Sequence, residues 1–255
     1  MGRAAGKTKR GDQLGNAGYF AQSKEPLTAF VAVLPLFVFY QVGILLTGGM
    51  RNGVDFVSSF LFSVFGDDLA SYLGFNAIIL VAFLIIVARL RRSGELHPRV
   101  MPMMLLESAV YAVLVGVGVN VLINATGIGH LLMVPAAAGG SPPGLFTKLV
   151  MSVGAGLYEE LTFRLVLMGG LFFAMHKVAG ASRILSAVLA VTVSSLIFSG
   201  VHHLGNMGEA FTLSAFVFRF FAGVIFATIF QTRGFAIAAW THALYDVWVM
   251  VVLGK

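Results

Sequence analysis

Glu159 and Glu160 stand side by side, and Arg164 follows Glu160 by four residues, inside a largely apolar run from Leu145 to Met175. Placing an ionisable side chain in hydrocarbon costs on the order of 3 kcal/mol, so such groups usually face a protein interior and mark a function. Residues four apart share a helix face, which lets Glu160 pair with Arg164. Glu159 is turned about 100° away and stays free for another task. Two more stations follow. Phe198 and His202 are four apart, and so are His242 and Asp246. Arg219 is a weaker fourth, expected either to snorkel or to pair with Glu107 or Glu209.

Taken singly, each station has a plain structural reading: a buried ion pair, an interfacial histidine, an aspartate that orients a neighbour. Together they place Glu, His and Asp on three apolar segments, which is how sites inside helix bundles are built. Two carboxylates and two imidazoles, with no cysteine in the chain and no evident serine nucleophile, suit activation of water. A carboxylate beside an imidazole can hold a water and take its proton. A second imidazole can steady a developing oxyanion. The same residues are also compatible with a zinc ion held by Glu and two His.

The elements that must position these groups are membrane spans. The chain is 58% hydrophobic and 11% charged, with mean hydropathy +0.91; a soluble domain carries roughly 25% charged residues. The net charge of +6 is therefore read by where the basic residues lie, not as a nucleic-acid signal. Residues 1–26 form a basic, glycine-rich tail expected to lack fixed structure, and 27–255 form a single transmembrane domain. Seven spans are expected, at about 27–48, 71–90, 101–125, 145–176, 182–203, 210–230 and 234–253; counting Val54–Phe65, a short interfacial or re-entrant stretch, would make eight. The 145–176 run is too long for a ~30 Å hydrocarbon core and is expected to tilt, break near Gly154 and Gly156, or begin in the interface. A Gly/Pro-rich loop, 135–144, precedes it. The fold class is thus an all-α polytopic bundle of seven to eight spans around a central polar site.

The ordered set Glu159-Glu160-x-x-x-Arg164, Phe198-x-x-x-His202 and His242-x-x-x-Asp246 resembles the CPBP family of intramembrane proteases, over residues 145–253. That family includes CAAX prenyl endopeptidases and bacteriocin-processing and immunity proteins. The resemblance implies an intramembrane glutamate protease acting on membrane-associated proteins or peptides, such as C-terminal or leader segments, with no metal or other cofactor. It assigns water activation to Glu159, water orientation to His202, and oxyanion stabilisation to His242 with its i+4 partner. Glu160, Arg164 and Phe198 would be supporting residues. Many relatives carry Asn where this chain has Asp246, and an ionised Asp cannot donate to an oxyanion; either Asp246 is protonated in its low-dielectric site, or it only orients His242. A non-catalytic scaffold or immunity factor, or a transporter, is the rival reading of the same residues.

Twelve of the 17 basic residues fall in segments that share one side if the N-terminus is cytoplasmic, and three fall on the other side. This bias predicts a multi-pass protein with a cytoplasmic N-terminus. His202 then lies near the outer face, and the site opens away from the cytosol. CAAX endopeptidases are instead thought to open toward it.

Overall fold

The computed structural model describes residues 18–47, 69–92, 94–127, 144–204 and 210–254. Eight helices occur among them: α1 (Tyr19–Gln22), α2 (Pro26–Leu46), α3 (Leu69–Arg91), α4 (Met101–Ala125, led in by a tight turn at Pro98–Val100), α5 (Leu145–Val178), α6 (Arg183–Val201), α7 (Leu213–Arg233) and α8 (Phe235–Val252). The described residues include no strand. Six helices, α2 and α4 to α8, are long and apolar enough to cross a bilayer. At 23 residues, α3 occupies the position expected for the second span. Large apolar side chains such as Ile78, Val117, Val166 and Val188 are exposed on the outside of the bundle. A surface of that kind is stable against lipid, not water. The chain is a multi-pass integral membrane protein.

Local chemistry sets the helix ends. Ser182 and Thr212 cap α6 and α7, their side-chain oxygens accepting from the amides of Leu185 and Ala215. Arg233 ends α7, and Gly234 alone separates it from α8, with φ at +90°. Glycine adopts that conformation without steric cost.

The most enclosed helix is α8, which packs against α2, α4, α5 and α7. Ala236, Ala238, Ala239 and Ala243 make its buried face small, so neighbouring backbones come close. Gly156 of α5 sits against the backbone of Ala239 and Ala243. Gly154, half a turn away, accepts the ring of Tyr40 from α2. The expected break at these glycines does not occur. Instead α5 runs unbroken for 34 residues, and its hydrogen bonding widens from i→i+4 to i→i+5 over Ala155–Met168. Widened turns of this kind frequently accompany functional sites.

Two further expectations change. Residues 18–25, read above as part of the polar tail, are folded. Ser23 is buried, and the Tyr19 hydroxyl donates to Glu107 on α4. Glu107 in turn pairs with Arg233, not Arg219, through Nε–Oε1 at 2.5 Å and Nη2–Oε2 at 2.8 Å. Arg219 instead interacts electrostatically with Asp246 and Tyr245. Residues 1–17, Val54–Phe65, the 135–143 part of the Gly/Pro loop and Glu209 lie outside the described residues.

The α5–α8 contact is directly testable. A Cβ at Gly156 would lie 2.7 Å from the Ala239 carbonyl oxygen, an atom that cannot rotate away, whereas a Cβ at Gly170 meets open space. Gly156→Ala should therefore lower stability by about 1–3 kcal/mol, the usual cost of overpacking. Gly170→Ala should leave it unchanged or raise it slightly. Thermal survival of each variant in detergent, followed by size-exclusion chromatography, measures the difference.

Candidate active site

Three helices deliver the site. On the widened part of α5, Tyr158, Glu159, Glu160, Phe163 and Arg164 are all buried, because this stretch faces the bundle on more than one side. The C-terminal end of α6 supplies Phe198 and His202. Near the middle of α8 are His242 and Asp246. The residues anticipated from spacing alone converge on one place.

Glu159 lies between two imidazoles. Its Oε2 is 3.7 Å from Nε2 of His202 and 3.7 Å from Nε2 of His242. Those distances are too long for hydrogen bonds and suit one water bridging at about 2.8 Å to each atom. Oε2 is buried and makes no hydrogen bond to the described residues. Asp246 closes the cluster, with Oδ2 3.7 Å from His242 Nε2.

The far nitrogens of both rings are held, and this sets what the near nitrogens can do. His202 Nδ1 is 2.7 Å from the carbonyl oxygen of Phe198. A carbonyl only accepts, so Nδ1 carries the proton and Nε2 of the neutral ring is a bare acceptor facing Glu159. His242 Nδ1 is 2.8 Å from Glu160 Oε1. An ionised Glu160 likewise only accepts, so Nδ1 of His242 carries a proton and donates it as a hydrogen bond. His242 Nε2 then donates only when the ring is an imidazolium.

Sequence spacing places Glu160 beside Arg164 but not against His242, a contact that crosses from α5 to α8. Arg164 Nε is 3.3 Å from Glu160 Oε2, at ion-pair distance without hydrogen-bond alignment. Its Nη2 donates to the Gly223 carbonyl at 3.5 Å, and its Cζ lies 4.3 Å from the centre of the Phe198 ring. Phe198 thus packs on Arg164 and, edge to face, on His202 at 4.9 Å.

Phe226 was not singled out from sequence. It stacks on His242 with 4.2 Å between centroids and 14° between planes, and it is buried. Its only signal is register: Phe226 and Gly223 lie seven and four residues after Arg219, on one face of α7. Tyr158, beside Glu159, accepts from Gln41 Nε2 at 2.6 Å and so ties the site to α2. Two other histidines, His203 and His176, have their contacts elsewhere. His203 packs on Phe211, and His176 Nδ1 faces the Ala181 carbonyl.

A metal would have to use Glu159, His202 and His242. Among the described residues, no group of three or more His, Asp or Glu side chains is arranged to hold one. The arrangement is suited to holding a water between one carboxylate and one imidazole, next to a second, charge-balanced imidazole.

Residues 141–248 match the family described as type II CAAX prenyl endopeptidase, Rce1-like. The match spans all three stations. No curated protein and no solved structure matches the chain significantly.

Breaking one half of a buried ion pair strands the other. Arg164→Met should lower stability by about 3–5 kcal/mol by leaving Glu160 without its cation. Adding Glu160→Gln to that variant should restore much of the loss. The double-mutant cycle, read by thermal unfolding in detergent, gives the coupling. Additive losses would show that the two side chains do not act as a pair.

Proposed function

Because residues 141–248 match the Rce1-like family of type II CAAX prenyl endopeptidases, we propose that the chain is an intramembrane endopeptidase whose attacking water is activated by Glu159. The observation that carries this reading is the position of Glu159 Oε2, buried and 3.7 Å from Nε2 of two histidines on two other helices.

In the proposed reaction a water sits between Glu159 and His202. One of its protons points to the bare Nε2 of His202, which orients it, and the other to Glu159. Glu159 takes that proton as the water oxygen attacks the scissile carbonyl carbon. The carbonyl oxygen becomes an oxyanion and faces Nε2–H of His242. His242 is protonated at both nitrogens for this step. Glu160 accepts from Nδ1, and Asp246 supplies negative charge 3.7 Å from Nε2. Asp246 therefore acts on the imidazolium and need not donate to the oxyanion itself, which accounts for Asp where many relatives have Asn. Glu159 then passes its proton to the leaving amine nitrogen, and the C–N bond breaks. No metal takes part in this scheme. The substrates are membrane-associated proteins or peptides cut near a C-terminal or leader segment.

Glu159→Gln should reduce cleavage by at least three orders of magnitude while the protein stays folded and membrane-inserted, since Gln keeps the shape and loses the base. Cleavage of a membrane-anchored reporter peptide by purified protein measures it, with and without a zinc chelator. Full activity in Glu159→Gln would remove Glu159 as the base. Phenotypic rescue by that variant would favour a scaffold. Loss of wild-type activity on chelation, restored by zinc, would bring a metal back in.

The proposed topology keeps the N-terminus in the cytoplasm and opens the site to the other side. His202 ends α6 far from Arg183, and Asp246, the most exposed carboxylate of the cluster, lies on the Val252 side of His242. The chain has no native cysteine. Leu204→Cys, beside His202, should react with a membrane-impermeant maleimide in intact cells, and Arg92→Cys only in inverted vesicles. The opposite pattern would mean that the site faces the cytosol.

A further inference from the structure

A second polar cluster lies at the other end of the bundle, where α1 rests on α4 and on the α7–α8 turn. Glu107 accepts from the Tyr19 hydroxyl and is held by Arg233 at 2.5 and 2.8 Å. Arg233 also donates to Ser23 Oγ at 3.0 Å and stacks on the Phe20 ring, its Cζ 4.3 Å from the centroid. Burial, followed by the adjoining Glu107 carboxylate, pushes the Tyr19 hydroxyl up to about 12. Tyr19 therefore stays protonated and donating, and the charge of Glu107 is cancelled by Arg233.

Beside this neutral clamp is a cavity of about 640 Å³, within the range of small-ligand sites. Its walls are Tyr19, Phe20, Arg99, Met103, Leu106 and Val110, with Glu107 at the clamp. Met103, Leu106 and Val110 are four or fewer residues apart on α4 and form an apolar strip that no described residue covers. Arg99 stands one turn beyond the strip, at the start of α4, and makes no ion pair with any described residue. Glu107 is already satisfied and does not compete for it. The adjoining segments carry more basic than acidic residues: Arg89, Arg91 and Arg92 at the end of α3 and Lys24 after α1, against Glu25 and Glu95. An apolar strip in a groove, with a guanidinium that pairs with no described residue at its polar end, is complementary to an amphiphile with an anionic head.

We propose that the α1–α4 groove binds one anionic phospholipid, its phosphate on Arg99 and an acyl chain along Met103, Leu106 and Val110. The site is separate from the Glu159 cluster and does not rest on the peptidase reading. Because α1 forms one wall and its Phe20 stacks on Arg233, the bound lipid would also brace the turn from which the His242 helix starts.

The test uses full-length protein, delipidated in detergent and titrated with phosphatidylglycerol or phosphatidylcholine, with bound lipid counted by native mass spectrometry. One phosphatidylglycerol should be retained in preference to phosphatidylcholine. Arg99→Gln should weaken that retention about fivefold, the effect of one basic residue at a membrane surface, without changing thermal stability in lipid-free detergent. Leu106→Trp, which fills the groove without altering charge, should reduce retention of phosphatidylglycerol at unchanged stability. Equal retention of the two lipids, or no effect of Arg99→Gln, would overturn the proposal. So would displacement of the lipid by soluble glycerol phosphate, which would show an anion site that needs no acyl chain. Displacement by a prenylated peptide at equal concentration would assign the groove to substrate and overturn it as well.

Discussion

The hydrogen bond between Glu160 and His242 is the contact on which the rest of the site depends. It crosses from α5 to α8, so it can form only where those helices touch, and they touch closely because Gly156 meets the Ala239–Ala243 backbone. Once formed, it fixes which nitrogen of His242 faces Glu159. It also obliges Glu160 to be a buried carboxylate, which needs Arg164, which in turn needs the faces of Phe198 and the Gly223 carbonyl. Each polar group is tolerated in the bundle because the next one compensates it. The apolar aromatic shell of Phe198 and Phe226 keeps that chain of compensation dry and the interactions strong.

The two imidazoles of the cluster are held by different kinds of oxygen. His202, tied to a neutral carbonyl, gains no electrostatic reason to hold a second proton from that side. His242, tied to Glu160 and 3.7 Å from both Glu159 and Asp246, is surrounded by carboxylates. The same residue type thereby faces a neutral carbonyl in one position and a carboxylate in the other. What differs is the backbone or side-chain oxygen behind the ring.

Much of this was legible in the chain itself. Apolar runs interrupted by turn residues mark the spans, and i, i+4 spacing identifies Glu160–Arg164, Phe198–His202 and His242–Asp246 as shared faces. Contacts between helices were not legible. Glu160 with His242, Phe226 over His242 and Gln41 with Tyr158 depend on crossing points and relative rotation, which no local period encodes. The widening of α5 was hidden for a similar reason: its glycines mark close approach of neighbouring chains, not a break. The partner of Glu107 is not legible either: Arg219 lies within an apolar run and Arg233 at a helix end, and only the packing of α7 on α4 and of residues 18–25 brings Arg233 to Glu107.

The single residue between α7 and α8 has a further consequence. Phe226 is eight residues before Gly234 and His242 eight after it. Two helices that rise by the same step from a shared corner reach the same depth after the same count. The stacking of ring on imidazole is thus a matter of symmetry about the corner, and it is indifferent to most of the side chains between. Such an arrangement accepts exchange of letters but not a change in their number. One residue added on either side would offset the partners by about 1.5 Å and swing one of them by about 100°. Along this hairpin, natural variation should therefore appear as substitution, with insertions and deletions confined to the loops at the opposite end of the bundle.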